Sequence, residues 1–311
     1  MNKLATVLIC LVLQVAHDAR AQSSAGCVGD IVFDSDRTQS PAVYRTPDLY
    51  SINIDGTGEH QLTFSKGAEF SRTPSVSPDG RRVVFHGSRN GEGQGLYVMA
   101  CSDGRVTRLT TTGTSPAPFW SPDGRQIAFS MGVEADRAIW IVDVATMRVR
   151  RLEALPKDSS GGTWSPDGSH IAFTSKGSVT WEIFAIDVGS GQVRQLTYTN
   201  SAKTSSQGPA WSPDGSSIAF DRSVDGNFDV YVMHADGSDV KQLIHDPAED
   251  SRPAWSPNGR SIAFHSTRDR QTAGTSGITP FLEIYVMDAD GSNVRRLTTN
   301  QYFDGHPDWL R

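Results

Sequence analysis

A ten-residue stretch occurs five times in this chain, and no other feature of the sequence restricts the fold as strongly. The copies are VSPDGRRVVF, WSPDGRQIAF, WSPDGSHIAF, WSPDGSSIAF and WSPNGRSIAF, which begin at Val76, Trp120, Trp164, Trp211 and Trp255. The intervals between their first residues are 44, 44, 47 and 44 residues. A period of this length is typical either of a four-stranded propeller blade or of a helical repeat.

The residues between the copies favour strands. Each repeat continues with an apolar run such as LYVMA, IWIVD or VYVMH, and then with a shorter segment such as RLT or QL. These runs are rich in β-branched and aromatic residues and are separated by Gly, Pro and Asp, which is the pattern of strands joined by turns. No window shows the long 3.6-residue periodicity of an amphipathic helix. We therefore predict an all-β chain.

Within the repeat, SPDG predicts a tight turn between a first strand that ends at Trp and a second strand that reads IAF. Pro122 presets the turn backbone, Asp123 can bond its own backbone, and Gly124 accepts the left-handed conformation. We interpret the repeated tryptophans as buried parts of the structural unit rather than as a ligand-binding cassette. They are Trp120, Trp164, Trp211 and Trp255, together with Trp309 near the end of the chain.

Partial repeats at the two ends predict the number of blades. The segment from Gly29 matches a second strand with no SPDG turn before it, and the segment from His306 matches a first strand with no IAF after it. Joined, they complete one blade and leave no exposed sheet edge. Counting the IAF-type strands predicts a six-bladed β-propeller of four-stranded antiparallel blades over residues 29–311. Pairing of the N-terminal strand with the C-terminal strand closes the ring.

The repeat PAWSPDGSSIAF, followed by FDVYVMHADGSDVKQLI, resembles the WD40-like (PD40) repeat of the TolB propeller family. Similar repeats occur in the propeller domains of prolyl-oligopeptidase-type and tricorn-type peptidases, but the GxSxG motif of a nucleophile elbow is missing. The resemblance implies a non-enzymatic module that binds a protein or peptide partner in the cell envelope. In the TolB family the partners are a peptidoglycan-associated lipoprotein and other Tol components. Only the binding class is carried over, because residues 22–28 are too few for that family's N-terminal α/β domain.

The N-terminus predicts export. Lys3 is followed by the apolar run LATVLICLVLQVA and by ARA, which ends at Ala21. This is the pattern of a secretory signal peptide over residues 1–21, with residues 22–28 as a short segment before the propeller. The alternative, lipidation of Cys27 in SAGC, departs from the lipid-anchor pattern because Ser24 stands where an aliphatic residue is expected. A periplasmic or secreted protein is predicted.

The net charge restricts the classes of partner that the chain can bind, and the cysteines allow one disulfide. The chain has 29 basic and 35 acidic residues and a net charge of −6, and removal of residues 1–21 makes it one unit more negative. Interspersed negative charge is a poor footprint for nucleic acid or anionic lipid, so we expect neither nucleic-acid binding nor membrane insertion. No cofactor and a monomer are predicted. Export permits a disulfide between Cys27 and Cys101, which would reinforce the closure, and the sequence leaves this pairing open.

The predicted topology gathers the connections that precede the first strands at one face of the ring. Residues in these connections are expected to line the mouth of the central channel: Glu69, Phe70, Arg72, Asp250, Arg252, Asp304 and His306. Their mixed charges suit a peptide or protein partner, although they fit ordinary solvated loop residues equally well. The alternative function is a propeller enzyme or ligand receptor that acts on an oligosaccharide or peptide at this mouth, with metal assistance as one version.

A second set of polar residues follows the IAF phenylalanine in four consecutive blades: Asp34, His86, Asp221 and His265. Their side chains are of the types that bind a divalent metal, although the compact spacing of most metal sites is missing. They fit equally well as hydrogen-bonding pairs that join neighbouring blades. The DADGSN segment from Asp288 lacks the last Glu of a calcium loop and is interpreted as a hairpin turn.

Overall fold

The computed structural model describes residues 26–37, 46–111, 117–133, 136–153, 155–268 and 282–311. The predicted signal peptide at 1–21 lies outside the described residues. None of the described segments contains a helix long and apolar enough to cross a membrane. The described strands, in chain order, are β1 (Ile31–Ser35), β2 (Asp48–Ile52), β3 (His60–Gln61), β4 (Phe70–Val76), β5 (Arg82–Ser88), β6 (Gln94–Ala100), β7 (Val106–Thr111), β8 (Phe119–Trp120), β9 (Gln126–Met131), β10 (Ala138–Asp143), β11 (Val149–Arg151), β12 (Ser160–Trp164), β13 (His170–Lys176), β14 (Trp181–Asp187), β15 (Val193–Gln195), β16 (Thr204–Trp211), β17 (Ser217–Val224), β18 (Asn227–His234), β19 (Lys241–Gln242), β20 (Asp250–Trp255), β21 (Ser261–Ser266), β22 (Glu283–Asp288), β23 (Arg295–Arg296) and β24 (Asp304–Trp309).

These strands form six antiparallel four-stranded sheets, which confirms the predicted all-β six-bladed propeller. Five blades use consecutive strands: β4–β7 form blade 1, β8–β11 blade 2, β12–β15 blade 3, β16–β19 blade 4 and β20–β23 blade 5. Blade 6 has the order β24-β1-β2-β3 and so combines the two ends of the chain. The first strand of each blade lines the centre of the ring.

The ring is closed as predicted and is fastened at a second point. In blade 6, Ile31 pairs with Trp309 and Ser35 pairs with Asp304. A disulfide also joins Cys27, before β1, to Cys101, after β6 of blade 1, with the Cα atoms 4.8 Å apart. The pairing that the sequence left open therefore forms, and it ties the closing blade to its neighbour.

The hydrophobic core lies between the blades. Buried apolar side chains among the described residues form six clusters, and each cluster draws on two neighbouring blades. Ile127, Ala128 and Phe129 of β9 are all buried because a blade on either side covers both faces of the strand. Trp120, Trp164 and Trp309 are buried as predicted, whereas Trp211 and Trp255 are only half-buried.

The SPDG turns form the end of the ring that we call the turn end. In the turn after β8, the Ser121 hydroxyl lies 2.6 Å from Asp123 and accepts the N–H of Gln126 at 2.9 Å, while Gly124 has a φ of +67°. A Cβ on Gly124 would lie 3.7 Å from Pro78, which shows that each turn packs on the turn of the preceding blade. The same glycine-on-proline contact recurs at Gly168, Gly215 and Gly259.

Candidate binding site at the channel mouth

The first strands enclose a central cavity of about 480 Å³. One lining position recurs in every blade, three residues before the tryptophan or its equivalent. In blade order these residues are Thr73, Ala117, Gly161, Gly208, Arg252 and His306. We call this set the mouth ring, because it lies at the end of the cavity opposite the turn end.

A backbone irregularity turns the mouth ring toward the channel. The pairing of first and second strands shifts register at this point in blades 1, 3, 4, 5 and 6. Such a bulge bends the strand and redirects the side chain. In these five blades the mouth-ring residue has a positive φ, with values between 49° at Thr73 and 59° at Arg252. The bulge therefore turns the mouth-ring residue toward the cavity in these five blades.

The bulge also joins neighbouring blades. The backbone N–H of the mouth-ring residue donates a hydrogen bond to the polar residue that follows the IAF phenylalanine in the preceding blade. The donor and acceptor atoms lie between 2.8 and 3.4 Å apart in five pairs: Thr73 N to Asp34 Oδ1, Gly161 N to Ser130 Oγ, Gly208 N to Thr174 Oγ1, Arg252 N to Asp221 Oδ1, and His306 N to His265 Nδ1. Asp34, Asp221 and His265 therefore act as inter-blade hydrogen-bond acceptors, the second of the two interpretations that the sequence left open.

His86 is the exception among the four predicted metal ligands. Burial lowers its pKa to about 4, with the nearby Arg72 guanidinium acting in the same direction. Its ring packs edge-on against Phe70 at 5.1 Å, and its Nε2 has no hydrogen-bond partner among the described residues. Within the described ranges, no three His, Cys, Asp or Glu side chains are grouped so that they could hold a metal ion.

Two of the residues predicted for the mouth, Asp250 and Asp304, are fully buried and do not line the cavity. Asp250 pairs with Arg268 at 2.8 Å, and Asp304 pairs with Arg37 at 2.7 Å. Burial raises the pKa of Asp304 to about 6, against the opposing charge of Arg37. These carboxylates begin the first strands and fasten the arginine that follows the second strand of the same blade.

Three more predicted residues, Glu69, Phe70 and Arg72, precede the bulge at Thr73 and do not line the cavity. Glu69 accepts the N–H groups of Lys66 at 3.0 Å and Asn90 at 2.7 Å and so fastens two loops together. Phe70 packs on His86, and the Arg72 guanidinium lies 6.0 Å from the centre of the Phe70 ring.

The remaining two, Arg252 and His306, line the cavity on adjacent blades. Arg252 is exposed, and His306 Nδ1 lies 2.8 Å from Asp34 Oδ1. On the other side of the ring, blades 2 to 4 contribute Ala117, Gly161 and Gly208 to the mouth ring. The mouth is therefore asymmetric, with polar side chains on one half and open space on the other.

Backbone strain distinguishes the polar half of the mouth ring from the other half. Glycine adopts a positive φ without cost, and blades 3 and 4 have glycine in the mouth ring. Blades 1, 5 and 6 instead hold Thr73, Arg252 and His306 in the same conformation, which is unusual for any side chain and an outlier for a β-branched one. Strain retained at one surface is a reason to propose that the side chains are needed there. The sequence analysis did not include Thr73 among the mouth residues. An alignment of the six repeats at the position three residues before the tryptophan would have identified it.

Comparison with known proteins gives the same architecture. The family model described as TolB beta propeller domain (PD40) matches residues 110–208 and 200–309. The Tol-Pal system protein TolB of Francisella tularensis subsp. holarctica is 32% identical over 111 residues, which cover 35% of this chain and 25% of that protein. The chain thus spans about a quarter of the length of the curated relatives that it matches.

Solved structures extend the match over nearly the whole chain. A crystal structure of TolB from Acinetobacter baumannii is 24% identical with a TM-score of 0.74, covering 96% of this chain and 71% of that chain. A TolB-like structure from Agrobacterium tumefaciens is 25% identical with a TM-score of 0.65, covering 89% of this chain and 90% of that chain. The repeats, the closed six-bladed ring and the family model together establish that the chain belongs to the TolB β-propeller domain family.

Proposed function

We propose that this chain is an exported, periplasmic and non-enzymatic propeller that binds a protein or peptide partner of the cell envelope through its channel mouth. The observation that carries the proposal is the retention of Thr73, Arg252 and His306 in a backbone conformation that glycine would adopt at lower cost. A rigid ring that presents variable residues at one end is a common way to build a binding surface.

Two further observations support this function. The curated relatives are named as proteins of the Tol-Pal system, and a propeller of that family is a precedent for an envelope binding module. The basic start, apolar run and ARA site of residues 1–21 fit a protein that is exported before it folds. A disulfide between Cys27 and Cys101 is likewise suited to an oxidising compartment.

The test compares capture by three matched forms of the chain over residues 22–311. The mouth variant carries Thr73→Gly, Arg252→Gln and His306→Gln, which change the three mouth-ring side chains that carry the proposal. The control variant carries Arg81→Gln, Arg125→Gln and Arg260→Gln, which change three exposed arginines at the turn end. Each form is immobilised, exposed to an envelope extract of the cells that make the protein, and the captured proteins are quantified by mass spectrometry.

We expect a protein that the wild type and the control variant capture equally and the mouth variant captures at least about tenfold less, since lost charge-assisted hydrogen bonds weaken binding by this order. The captured protein is then purified and its affinity for all three forms is measured directly. Equal affinity for the mouth and control variants contradicts the proposed function.

A second candidate function, catalysis at the mouth, is favoured by the pairing of His306 with Asp34 at 2.8 Å. When Nδ1 of such a histidine donates to the carboxylate, Nε2 is oriented as a general base. The test measures turnover of an oligosaccharide and peptide panel by the wild type and by a His306→Gln variant. Turnover that disappears in the variant supports catalysis, and no turnover by the wild type removes this candidate.

A further inference from the structure

Beside blades 2 to 4, where the mouth ring consists of small residues, the central cavity reaches past the first strands to residues of the second strands. Six polar or charged side chains line this extension, which we call the recess: Ser130, Arg137, Ser160, Thr174, Gln207 and, from across the channel, Arg252. A Cβ built on Gly161 meets no atom within 4 Å, so the space beside it is open. A Cβ on Gly208 would instead lie 2.3 Å from Asp221 Oδ1, so that glycine is required by the fold.

The recess has an excess of positive charge in a chain whose net charge is negative. Arg137 precedes β10 of blade 2 and Arg252 belongs to blade 5, so the two residues approach from opposite sides of a six-membered ring. Arg252 is exposed, and Asp221 accepts its backbone N–H at 3.2 Å, but no ion pair joins the two side chains among the described residues. Burial raises the pKa of Asp221, against the opposing charge of Arg252. Arg137 Nε lies 3.6 Å from the Asp158 carboxylate, which does not itself line the cavity.

Among the described residues, Asp308 is the one carboxylate side chain that lines the cavity, and both of its oxygens accept hydrogen bonds from backbone N–H groups. Its Oδ2 accepts the N–H of Val76 at 2.7 Å, and its Oδ1 accepts the N–H of Trp309 at 2.9 Å. Burial raises the pKa of Asp308, which weakens its charge further. It therefore does not neutralise Arg252.

Hydrogen-bond donors accumulate on the same side. The indole Nε1 of Trp120, Trp255 and Trp309 donates to a carbonyl of the preceding blade at 2.9 to 3.2 Å. In blades 3 and 4 the equivalent Trp164 and Trp211 have a buried Nε1 with no partner among the described residues, so neither indole N–H is presented to the cavity. Trp211 itself lines the cavity, and its indole signal can therefore report a ligand that binds there. The hydroxyls of Ser130 and Thr174 accept an N–H each, which leaves their own hydrogens to donate.

A ligand that satisfies this lining must accept hydrogen bonds and carry negative charge. Arginine forms its strongest contacts with planar anions, and carboxylates are the planar anions that a peptide supplies. We propose that the recess binds a carboxylate of the partner, from an acidic side chain or a chain end, with Arg252 as its ion-pair partner. This inference rests on the proposed function and names the chemistry that the mouth recognises.

The test uses a minimal probe, N-acetyl-triglycine with a free carboxylate, and its C-terminal amide as the matched neutral probe. The chain has seven tryptophans, whose indole N–H signals are countable in a two-dimensional ¹H–¹⁵N spectrum. We expect the acid to shift the Trp211 signal progressively, with half-saturation on the order of millimolar for so small a ligand. The amide leaves it unchanged, and Trp140 and Trp181, on the third strands of blades 2 and 3, do not respond to either probe.

Variants locate the contact. Arg252→Gln weakens acid binding by about tenfold. Arg260→Gln, at the turn end of the same blade, leaves it unchanged. Gly161→Leu fills the open space beside Gly161 and abolishes the Trp211 response, and an otherwise unchanged spectrum shows that the variant is folded.

Equal shifts with acid and amide, no shift with either, or equal binding by the Arg252 and Arg260 variants overturns the inference. Saturation of the Trp211 response by trigalacturonate but not by the peptide acid overturns it in favour of a saccharide acid. The proposed function has a separate readout, since it fails when the purified partner binds the mouth and control variants equally. Partner binding that depends on the mouth while acid and amide are indistinguishable removes the carboxylate inference alone.

Discussion

The two ends of the central channel are built by the same six strands, yet their sequences behave in opposite ways. At the turn end, five blades repeat Ser-Pro-Asp-Gly or Ser-Pro-Asn-Gly. At the mouth, six blades place Thr, Ala, Gly, Gly, Arg and His at equivalent positions. The regular end explains how the ring holds together, and the irregular end is where we propose that the partner binds.

The difference has a packing cause. At the turn end the turns pack on one another, since a Cβ on Gly124 or Gly168 would be in van der Waals contact with the proline of the preceding turn. The turn residues themselves therefore form the contact between blades. At the mouth the inter-blade contact is made by a backbone N–H, which every residue except proline supplies. The side chain is therefore not constrained by this hydrogen bond and can vary without loss of the ring, except at Gly208, where a Cβ would lie 2.3 Å from Asp221 Oδ1. Loss of Trp309, of the disulfide or of the buried His86 affects the ring itself, whereas Arg252→Gly separates the ring from the binding site.

The largest effect is expected from loss of a tryptophan at the regular end. Trp309 is 5% exposed and donates its indole N–H to Ala254 of blade 5 at 2.9 Å. Trp309→Ala leaves a cavity at the closing blade and should lower the free energy of unfolding by about 3–5 kcal/mol. Urea denaturation measures the change, with Tyr198→Ala as the exposed-aromatic control expected within about 0.5 kcal/mol of wild type. Similar values for the two variants would refute the role of Trp309 in the core.

Removal of the disulfide should have the next largest effect. Cys27 and Cys101 are 74 residues apart in sequence, and the bond between them restricts the unfolded chain. The double variant Cys27→Ser/Cys101→Ser should lose about 2–4 kcal/mol of stability. Reduction of the wild type should give the same loss and should not change the variant. A stability that reduction leaves unaltered would show that the closure depends on strand pairing alone.

A pH-dependent effect is expected beneath the mouth, at His86. Because burial lowers the pKa of His86 in the folded protein to about 4, the unfolded chain takes up a proton near the ordinary value of 6.5 first. Stability from this group is therefore complete above pH 6.5 and is lost as the pH falls toward 4, by up to about 3 kcal/mol. Between pH 7 and pH 4.5 a His86→Gln variant should lose less stability than the wild type, by urea denaturation. Parallel curves would contradict a neutral, buried His86.

The ring of blades could be predicted from the sequence because the same turn and strand motifs recur in each blade. The SPDG motif predicted the turns between the first and second strands. The partial repeats at Gly29 and His306 predicted the closure, which the pairing of Ile31 with Trp309 confirms. A further repeated signal was available for the buried ion pairs. An arginine stands four residues after the second-strand phenylalanine at Arg37, Arg89 and Arg268, and two of these pair with Asp304 and Asp250.

The mouth could be predicted only in part, because its geometry depends on a bulge that carries no local sequence signature. Glycine at positions 161 and 208 is compatible with a positive φ, but the residue types of Arg252 and His306 do not predict the positive φ that both adopt. If the position of the bulge is unknown, the alternation of side chains along a strand does not show which of Asp250, Ser251 and Arg252 faces the channel. The recess also requires distant residues, such as Arg137 and Thr174, that only the closed ring brings together.

The role of Arg252 is tested most directly by the substitution Arg252→Gly, which gives blade 5 the residue that blades 3 and 4 already have. We predict that the variant is as stable as the wild type, or more stable by up to about 1 kcal/mol, because glycine relieves the positive φ at this position. We predict that the same variant binds the purified partner at least about tenfold more weakly. A variant that keeps the wild-type affinity, or that loses binding only because it unfolds, would contradict the claim that this arginine serves recognition rather than the fold.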